Sequence, residues 1–155
     1  MNLEELEARV RALEDIEAIK KITAAFAYNI DSGDWQGVVD LFTEDGVCVS
    51  GNDRYKARAG LTRFFKEDLP AAFGFTVHML HNPIIELKGE EASGVWYSEV
   101  PVTHNETNRA WWIASKYKAT YQKVAGEWKF KTFASSAYYM TPFDEGWVKT
   151  RMYGS

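Results

Sequence analysis

The sequence has very little cysteine and no long hydrophobic run. Cys48 is the only cysteine among 155 residues, which excludes an intrachain disulfide and a cysteine metal cluster. No apolar stretch approaches the roughly 18 residues that a membrane-spanning helix needs. The acidic, amphipathic N-terminus also differs from a signal peptide. We therefore expect a cytoplasmic protein without a membrane partner.

Excess positive charge and glycine-rich phosphate loops are missing as well. The formal net charge is -4 and the pI is near 5.4, which argues against nucleic acid as a partner even though Trp111 and Trp112 are adjacent. Without a glycine-rich phosphate loop, we predict no cofactor. His78 and His81 are three residues apart and would lie on opposite faces of a strand. No helical His-x-x-x-His pair occurs, so we predict no metal site.

The composition is typical of a soluble globular protein. Hydrophobic residues make up 46% of the chain and charged residues 26%, which distinguishes it from a disordered chain. The length fits one domain over residues 1–155 with a substantial core. Aromatic residues reach 15%, including six tryptophans. Such rings can fill a core, line a pocket or build an interface.

The N-terminal half of the sequence has helical periodicity. Residues 1–31 predict one long helix, or two nearly continuous ones, because apolar residues recur three and four positions apart. The first apolar positions form a short heptad pattern, at Leu3, Leu6, Val10 and Leu13. This pattern is typical either of the frayed start of a core helix or of a helix that packs against a neighbouring subunit. Further helices are predicted over 35–42 and 59–72, the second ended or kinked by Pro70.

A turn separates the first two predicted helices. Ser32 and Gly33 break the first helix, and Asp34 can cap the second. A short strand is predicted over 47–49, between turns of Glu44-Asp45-Gly46 and Gly51-Asn52-Asp53.

The C-terminal half predicts strands. Four runs are separated by short turns, at 76–87, 92–104, 110–124 and 128–139. Consecutive strands joined by short turns form an antiparallel meander. Helices followed by a long sheet indicate an α+β fold with the helices on one face. A strongly curved sheet closed at one end by helices would form a cone with an apolar interior for a small ligand. The tail, 141–155, is a candidate lid over the opening.

Residues 76–85, Thr-Val-His-Met-Leu-His-Asn-Pro-Ile-Ile, place polar groups among apolar ones. In one continuous strand, His78, Leu80 and Asn82 would share a face. A histidine that looks into an apolar cavity can act as a base near neutral pH. The alternative is a core histidine whose hydrogen bonds are satisfied. Asp31 likewise has two interpretations, as a partner of that histidine or as a helix-end or turn residue.

Three stretches together resemble a known family. They are Asp31-Ser32-Gly33-Asp34-Trp35 after a long helix, the histidine segment Thr76-Val77-His78, and the run Tyr121-Gln122-Lys123-Val124-Ala125-Gly126-Glu127-Trp128-Lys129-Phe130. The order and spacing resemble the SnoaL-like branch of the NTF2-like superfamily, which includes scytalone dehydratase, bile acid 7α-dehydratase and lindane dehydrochlorinase. The resemblance covers nearly the whole chain. It implies the NTF2-like cone and a homo-oligomer, with a trimer favoured and a dimer possible.

The resemblance also implies roles for individual residues. In these relatives a histidine on the sheet is the base, and an aspartate at the end of the first helix holds it. Those positions match His78 and Asp31. Other active-site positions depart from the pattern, because Phe26, Val100 and Phe133 stand where relatives have tyrosine or lysine, aspartate and arginine.

The rest of the predicted substrate shell is mixed. Val102 stands where scytalone dehydratase has a second histidine, and His104 is two residues further on the same predicted face. Its serine and asparagine on the third strand fall on Ser115 and Tyr117, so that tyrosine replaces the asparagine. His104 is therefore a candidate second acid beside them. Tyr28, one turn before Asp31, is a further candidate cavity residue.

Together these observations predict a cofactor-independent lyase, similar to a dehydratase, that acts through a His-Asp general base on a small hydrophobic cyclic or polyketide-like substrate. An isomerase or cyclase that uses the same base is one alternative. A non-catalytic module that binds a small molecule is the other, and the apolar replacements in the substrate shell favour it.

Overall fold

The computed structural model describes residues 1–153; the last two residues of the predicted domain and of the predicted lid lie outside this range. The helices are α1 (Leu3–Ser32), α2 (Trp35–Asp40), α3 (Ala57–Arg63), a π-helical turn (Phe64–Asp68), α4 (Leu69–Ala72) and α5 (Gly146–Lys149). The strands are β1 (Phe42–Ser50), β2 (Asp53–Lys56), β3 (Phe73–Thr76), β4 (Met79–Lys88), β5 (Glu91–His104), β6 (Arg109–Val124) and β7 (Glu127–Pro142). Within residues 1–153, no helix is both long and apolar enough to span a membrane.

The first helix is continuous, and both of its ends are capped. Asn2 and Glu5 form a reciprocal capping box, in which each side chain accepts a hydrogen bond from the other residue's backbone N–H. At the other end Gly33 adopts φ +74°, the left-handed conformation that glycine tolerates. The Asp34 carboxylate then accepts from the Gly37 N–H at 2.9 Å and starts α2. The predicted break and cap in this turn are confirmed.

The helices pack on one face of a curved, unclosed seven-stranded sheet with the order β2-β1-β7-β6-β5-β3, in which β4 also pairs with β5. The α+β class, with helices on one face of the sheet, is confirmed. The fully antiparallel prediction is wrong in one place, because β1 runs parallel to β7. Short turns impose antiparallel pairing on consecutive strands, but β1 and β7 are distant in sequence and carry no such constraint.

Several predicted element bounds change. The predicted strand 76–87 is divided between β3 and β4 at residues 77 and 78. The Val77 N–H still donates to the Pro101 carbonyl of β5 at 3.1 Å, but proline has no N–H to return the bond. A bulge at positive-φ Asn82 further breaks the alternation of side chains. Residues 44–46 form an irregular part of β1 and not a separate turn. The helix predicted over 59–72 contains a π-helical turn directly before Pro70, whose ring and missing N–H disturb regular α-helical bonding.

The main core lies between α1 and the inner face of the sheet, defined as the face towards the helices. On α1, the residues Ile19, Phe26 and Ile30 are buried. A partly buried polar contact also ties this helix to the sheet. One carboxylate oxygen of Asp15 accepts hydrogen bonds from Lys123 Nζ at 2.7 Å and from Trp128 Nε1 at 2.8 Å. This contact fixes where α1 crosses the sheet and therefore where its C-terminal end lies.

Candidate active site

The C-terminal end of α1 meets the break between β3 and β4. Asp31 occupies the last turn of α1, and His78 lies in the two-residue gap between the strands. His78 Nδ1 is 2.7 Å from Asp31 Oδ1, and the backbone N–H of His78 donates to Asp31 Oδ2 at 2.8 Å. Thr76 adds a third contact, because its hydroxyl donates to Asp31 Oδ1 at 3.0 Å. The carboxylate is thus held on both oxygens by one short segment.

These contacts keep Asp31 charged. Its side chain is 21% exposed and that of His78 is 9% exposed. Burial alone would raise the pKa of Asp31, but the hydrogen bonds and charge of His78 and the Thr76 hydroxyl hold the pKa below its usual value. With a carboxylate at Nδ1, that nitrogen carries a proton, and Nε2 is the ring nitrogen left for other partners.

A cavity of about 530 Å³ opens beside His78. This volume falls within the range of small-molecule sites. Its wall combines side chains from the end of α1, the π-helical turn and the inner face of β5, β6 and β7. The lining is dominated by aromatic and aliphatic groups, with neutral hydroxyls from serine, threonine and tyrosine. A more open cleft of about 620 Å³ lies at the opposite end of the sheet, around Glu86 and Lys131, away from His78.

Most of the predicted shell residues line this cavity together with His78. They are Phe26, Val100, Val102, Ser115, Tyr117 and Phe133. Their convergence follows from the antiparallel register, in which Ser115 of β6 lies opposite Ser98 of β5 and the inner face repeats every second residue. Their roles in binding a substrate stay predictions.

Two predicted positions lie elsewhere. Tyr28 is 75% exposed, because a residue two positions after Phe26 is turned by about 200° around a helix and leaves the buried face. His104 lies at the end of β5, where its ring stacks on Trp111 at 4.1 Å and its Nδ1 contacts the Thr107 hydroxyl at 2.9 Å. The expectation that His104 stands beside Ser115 and Tyr117 as a second acid is therefore wrong.

Sequence reasoning did not identify Thr76 and Ser98 as neighbours of the candidate site residues Asp31 and Tyr117. Thr76 lies two residues before His78, so its proximity was visible in the sequence, but the hydrogen bond from its hydroxyl to Asp31 was not. Ser98 alternates with Val100 and Val102 on β5 and is buried. Its hydroxyl has no partner within hydrogen-bond geometry among residues 1–153, yet it lies close enough to lower the pKa of Tyr117.

Tyr117 and Cys48 are held in their neutral forms. Burial raises the pKa of Tyr117 to about 12, and the negative charge of Asp31 adds to this direction while Ser98 opposes it. Burial likewise raises the pKa of the Cys48 thiol to about 12. Tyr117 is therefore a hydrogen-bond donor on the cavity wall, and Cys48 is a neutral thiol and not a thiolate nucleophile.

The tail reaches the cavity as well. Met152 contributes to the cavity wall and forms a β-bridge with Met140 of β7. Within residues 1–153, no group of three or more histidine, cysteine, aspartate or glutamate side chains is arranged to hold a metal ion.

Comparison with known proteins identifies the family of this chain. Residues 11–134 match the SnoaL-like domain. Among solved structures, hexachlorocyclohexane dehydrochlorinase LinA-type3 from Novosphingobium barchaimii LL02 superposes with a TM-score of 0.81 at 20% identity, covering 87% of this chain and 94% of the other. A protein provisionally named scytalone dehydratase from Novosphingobium aromaticivorans DSM 12444 gives a TM-score of 0.77 at 20% identity, covering 93% and 96%.

An NTF2-like protein with a cystatin-like fold from Novosphingobium aromaticivorans gives a TM-score of 0.77 at 22% identity, covering 96% of this chain and 94% of the other. At these identities the structural likeness establishes the fold, whereas the domain match extends over most of the sequence. The chain therefore belongs to the SnoaL-like domain family.

Proposed function

We propose that this protein is a lyase that eliminates water or another small leaving group from a neutral, hydrophobic cyclic compound. The supporting observation is the 2.7 Å contact between Asp31 and His78 on the wall of an apolar cavity. Proteins with similar folds include a dehydrochlorinase and a protein provisionally named as a dehydratase. Both names denote elimination reactions.

In the proposed reaction, Nε2 of neutral His78 removes a proton from a substrate carbon. The C–H electron pair becomes the new C=C bond as the bond from the neighbouring carbon to the leaving group breaks. The Asp31 carboxylate stabilises the imidazolium that forms and keeps the Nδ1–H tautomer. In a dehydration, the departing hydroxide takes up the proton held by His78 and leaves as water. Tyr117 and Ser115 are two of the hydroxyls on the cavity wall, and in this proposal they hold the departing oxygen.

The cavity favours a neutral substrate of modest size. Its lining comes mostly from apolar side chains and neutral hydroxyls, so its polar groups can orient a carbonyl or hydroxyl, while rings such as Phe26 and Phe133 contact the hydrocarbon part. The two phenylalanines are in tilted contact, with ring centroids 4.6 Å apart. A flat or cyclic ligand fits this surface better than an extended charged one.

The decisive experiment uses a panel of hydroxylated and halogenated cyclic compounds, with turnover and binding measured in parallel. His78→Ala should reduce turnover by about 10²–10⁴-fold, the usual contribution of a positioned general base. His81→Ala is the matched control, because His81 lies outside the cavity lining and its side chain is 46% exposed. Equal activity in wild type and His78→Ala would refute the assignment of the base.

The same panel separates the alternatives. Proton–deuterium exchange at the substrate carbon without loss of a leaving group would indicate an isomerase or cyclase that uses the same base. Binding of panel compounds without turnover or exchange would instead support a binding module, which the apolar residues Phe26, Val100 and Phe133 favour.

A further inference from the structure

The first four turns of α1 carry an apolar stripe that no part of the chain covers within residues 1–153. Its exposed fractions are 70%, 45%, 46% and 63%, for Leu3, Leu6, Val10 and Leu13 respectively. Burial on this helix begins only further along, with Ile19. The stripe follows the alternating spacing of three and four residues that places side chains along one seam of a coiled coil.

The charges beside the stripe determine which partner fits it. With Leu3 and Val10 at heptad position a, Arg9 occupies position g and Glu14 the following position e. In two parallel copies of the helix, position g of one chain faces the next position e of the other. Arg9 of each copy therefore faces Glu14 of the other, which gives two pairs of opposite charges. In antiparallel helices e faces e, which would bring Glu7 and Glu14 together in repulsion.

Neither of these side chains is committed to an opposite charge within residues 1–153. Arg9 contacts the sulfur of Met1 at 3.3 Å, whereas the neighbouring Arg11 lies 3.7 Å from Glu7 within the same helix. The helix is also formed in advance, because its capping box satisfies the first turn. The conformational cost that normally prevents such a short helical segment from associating is therefore largely met before binding.

We propose that residues 3–14 of α1 form a parallel, two-stranded coiled-coil contact with a second copy of this chain. Val10 at position a with Leu6 and Leu13 at position d is a combination that favours two strands. The contact is short, so the association is weak and depends on protein concentration. It is independent of the cavity and of the reaction proposed above.

Charge reversal tests the pairing and its direction. Arg9→Glu and Glu14→Arg should each weaken self-association by about tenfold, because each places like charges across the seam, and the double variant should restore it. Arg11→Glu, at outward position b, is the control that should leave association unchanged. Sedimentation equilibrium across a wide concentration range measures the dissociation constants. Additive losses in the double variant would overturn the proposed pairing.

Cysteine cross-linking tests the geometry separately. In the parallel register Leu3→Cys lies opposite its own copy and should form a disulfide-linked dimer on mild oxidation, whereas Ala8→Cys at outward position f should not. The native Cys48 is buried and does not compete. A monomeric or trimeric wild type, equal cross-linking at both positions, or unchanged association in Leu6→Glu would overturn the proposal. Leu6 is half exposed in the single chain, so this last variant can fold.

Discussion

Replacing Asp31 separates its structural contribution from its chemical one. The carboxylate accepts three hydrogen bonds, two from His78 and one from Thr76. Bonds to a charged group contribute about 1.5–3 kcal/mol each when they are protected from water. The Asp31 side chain is 21% exposed, so water replaces part of this when the carboxylate is removed. We therefore expect Asp31→Ala to lower the free energy of unfolding by about 2–4 kcal/mol, less than the simple sum.

Compared with Asp31→Ala, Asp31→Asn should lose much less stability but nearly as much catalytic activity. The amide oxygen can still accept from the backbone N–H of His78, which limits the loss of stability to about 1 kcal/mol. The amide NH₂ must then face Nδ1 as a donor, and it forces His78 into the tautomer with the proton on Nε2. That proton occupies the nitrogen proposed as the base, so turnover should fall by about 10²–10⁴-fold.

Two measurements check this reasoning. Urea unfolding gives the stability of wild type and of both variants, and nitrogen-15 NMR of the imidazole reports the tautomer without any substrate. Asp34→Asn is the matched control, because Asp34 caps α2 in the same turn and asparagine is an equally good cap. If the Asp31→Asn protein kept the Nδ1–H tautomer, or if wild type carried its proton on Nε2, the proposed role of Asp31 would be refuted.

Three further predictions concern the pH dependence of stability, the Asp15 contact and the Tyr117 hydroxyl. Because the folded pKa of Asp31 is lowered, its stabilisation is complete above the unfolded value of about 3.9 and is lost as pH falls through the folded value; acid titration should therefore destabilise wild type more than Asp31→Asn. Asp15→Ala should lower the free energy of unfolding in urea by about 1–3 kcal/mol, since it leaves the buried Trp128 N–H unpaired. Asp45→Ala, which breaks an exposed ion pair with Lys131, should lower it much less. Tyr117→Phe should lower kcat about tenfold with little change in KM if its hydroxyl holds the leaving group.

The fold was predictable because its signals are local. A glycine and a capping aspartate in one turn end α1 and begin α2, and no residue elsewhere is needed to identify that boundary. Short turns between long alternating runs likewise identify β5, β6 and β7 as neighbours. The parallel pairing of β1 with β7 has no such local signal, because it depends on how the helices bring β1 back to the far edge of the hairpins.

The candidate site was only partly predictable because it depends on irregularities. Treating 76–87 as one strand identified the histidine that contacts Asp31 but not the break in the strand beside it. The Val77 N–H donates to the Pro101 carbonyl of β5 at 3.1 Å. The next N–H along the chain, that of His78, therefore points away from β5 and donates to Asp31. His104 shows the converse case, since the alternation along β5 was read correctly but its position at the strand end puts it against Trp111, beyond the cavity.

The position of Asp31 in its helix indicates what the contact is for. A carboxylate in the last turn of a helix faces the negative end of the helix dipole, which costs about 0.3–1 kcal/mol, and no basic residue in that turn offsets it. The carboxylate is retained there by donors from one segment of the chain, Thr76 and His78. The ionised side chain therefore places negative charge 2.7 Å from Nδ1, at the C-terminal end of the helix. This charge distribution stabilises an imidazolium formed when Nε2 accepts a proton, which supports the role proposed for Asp31.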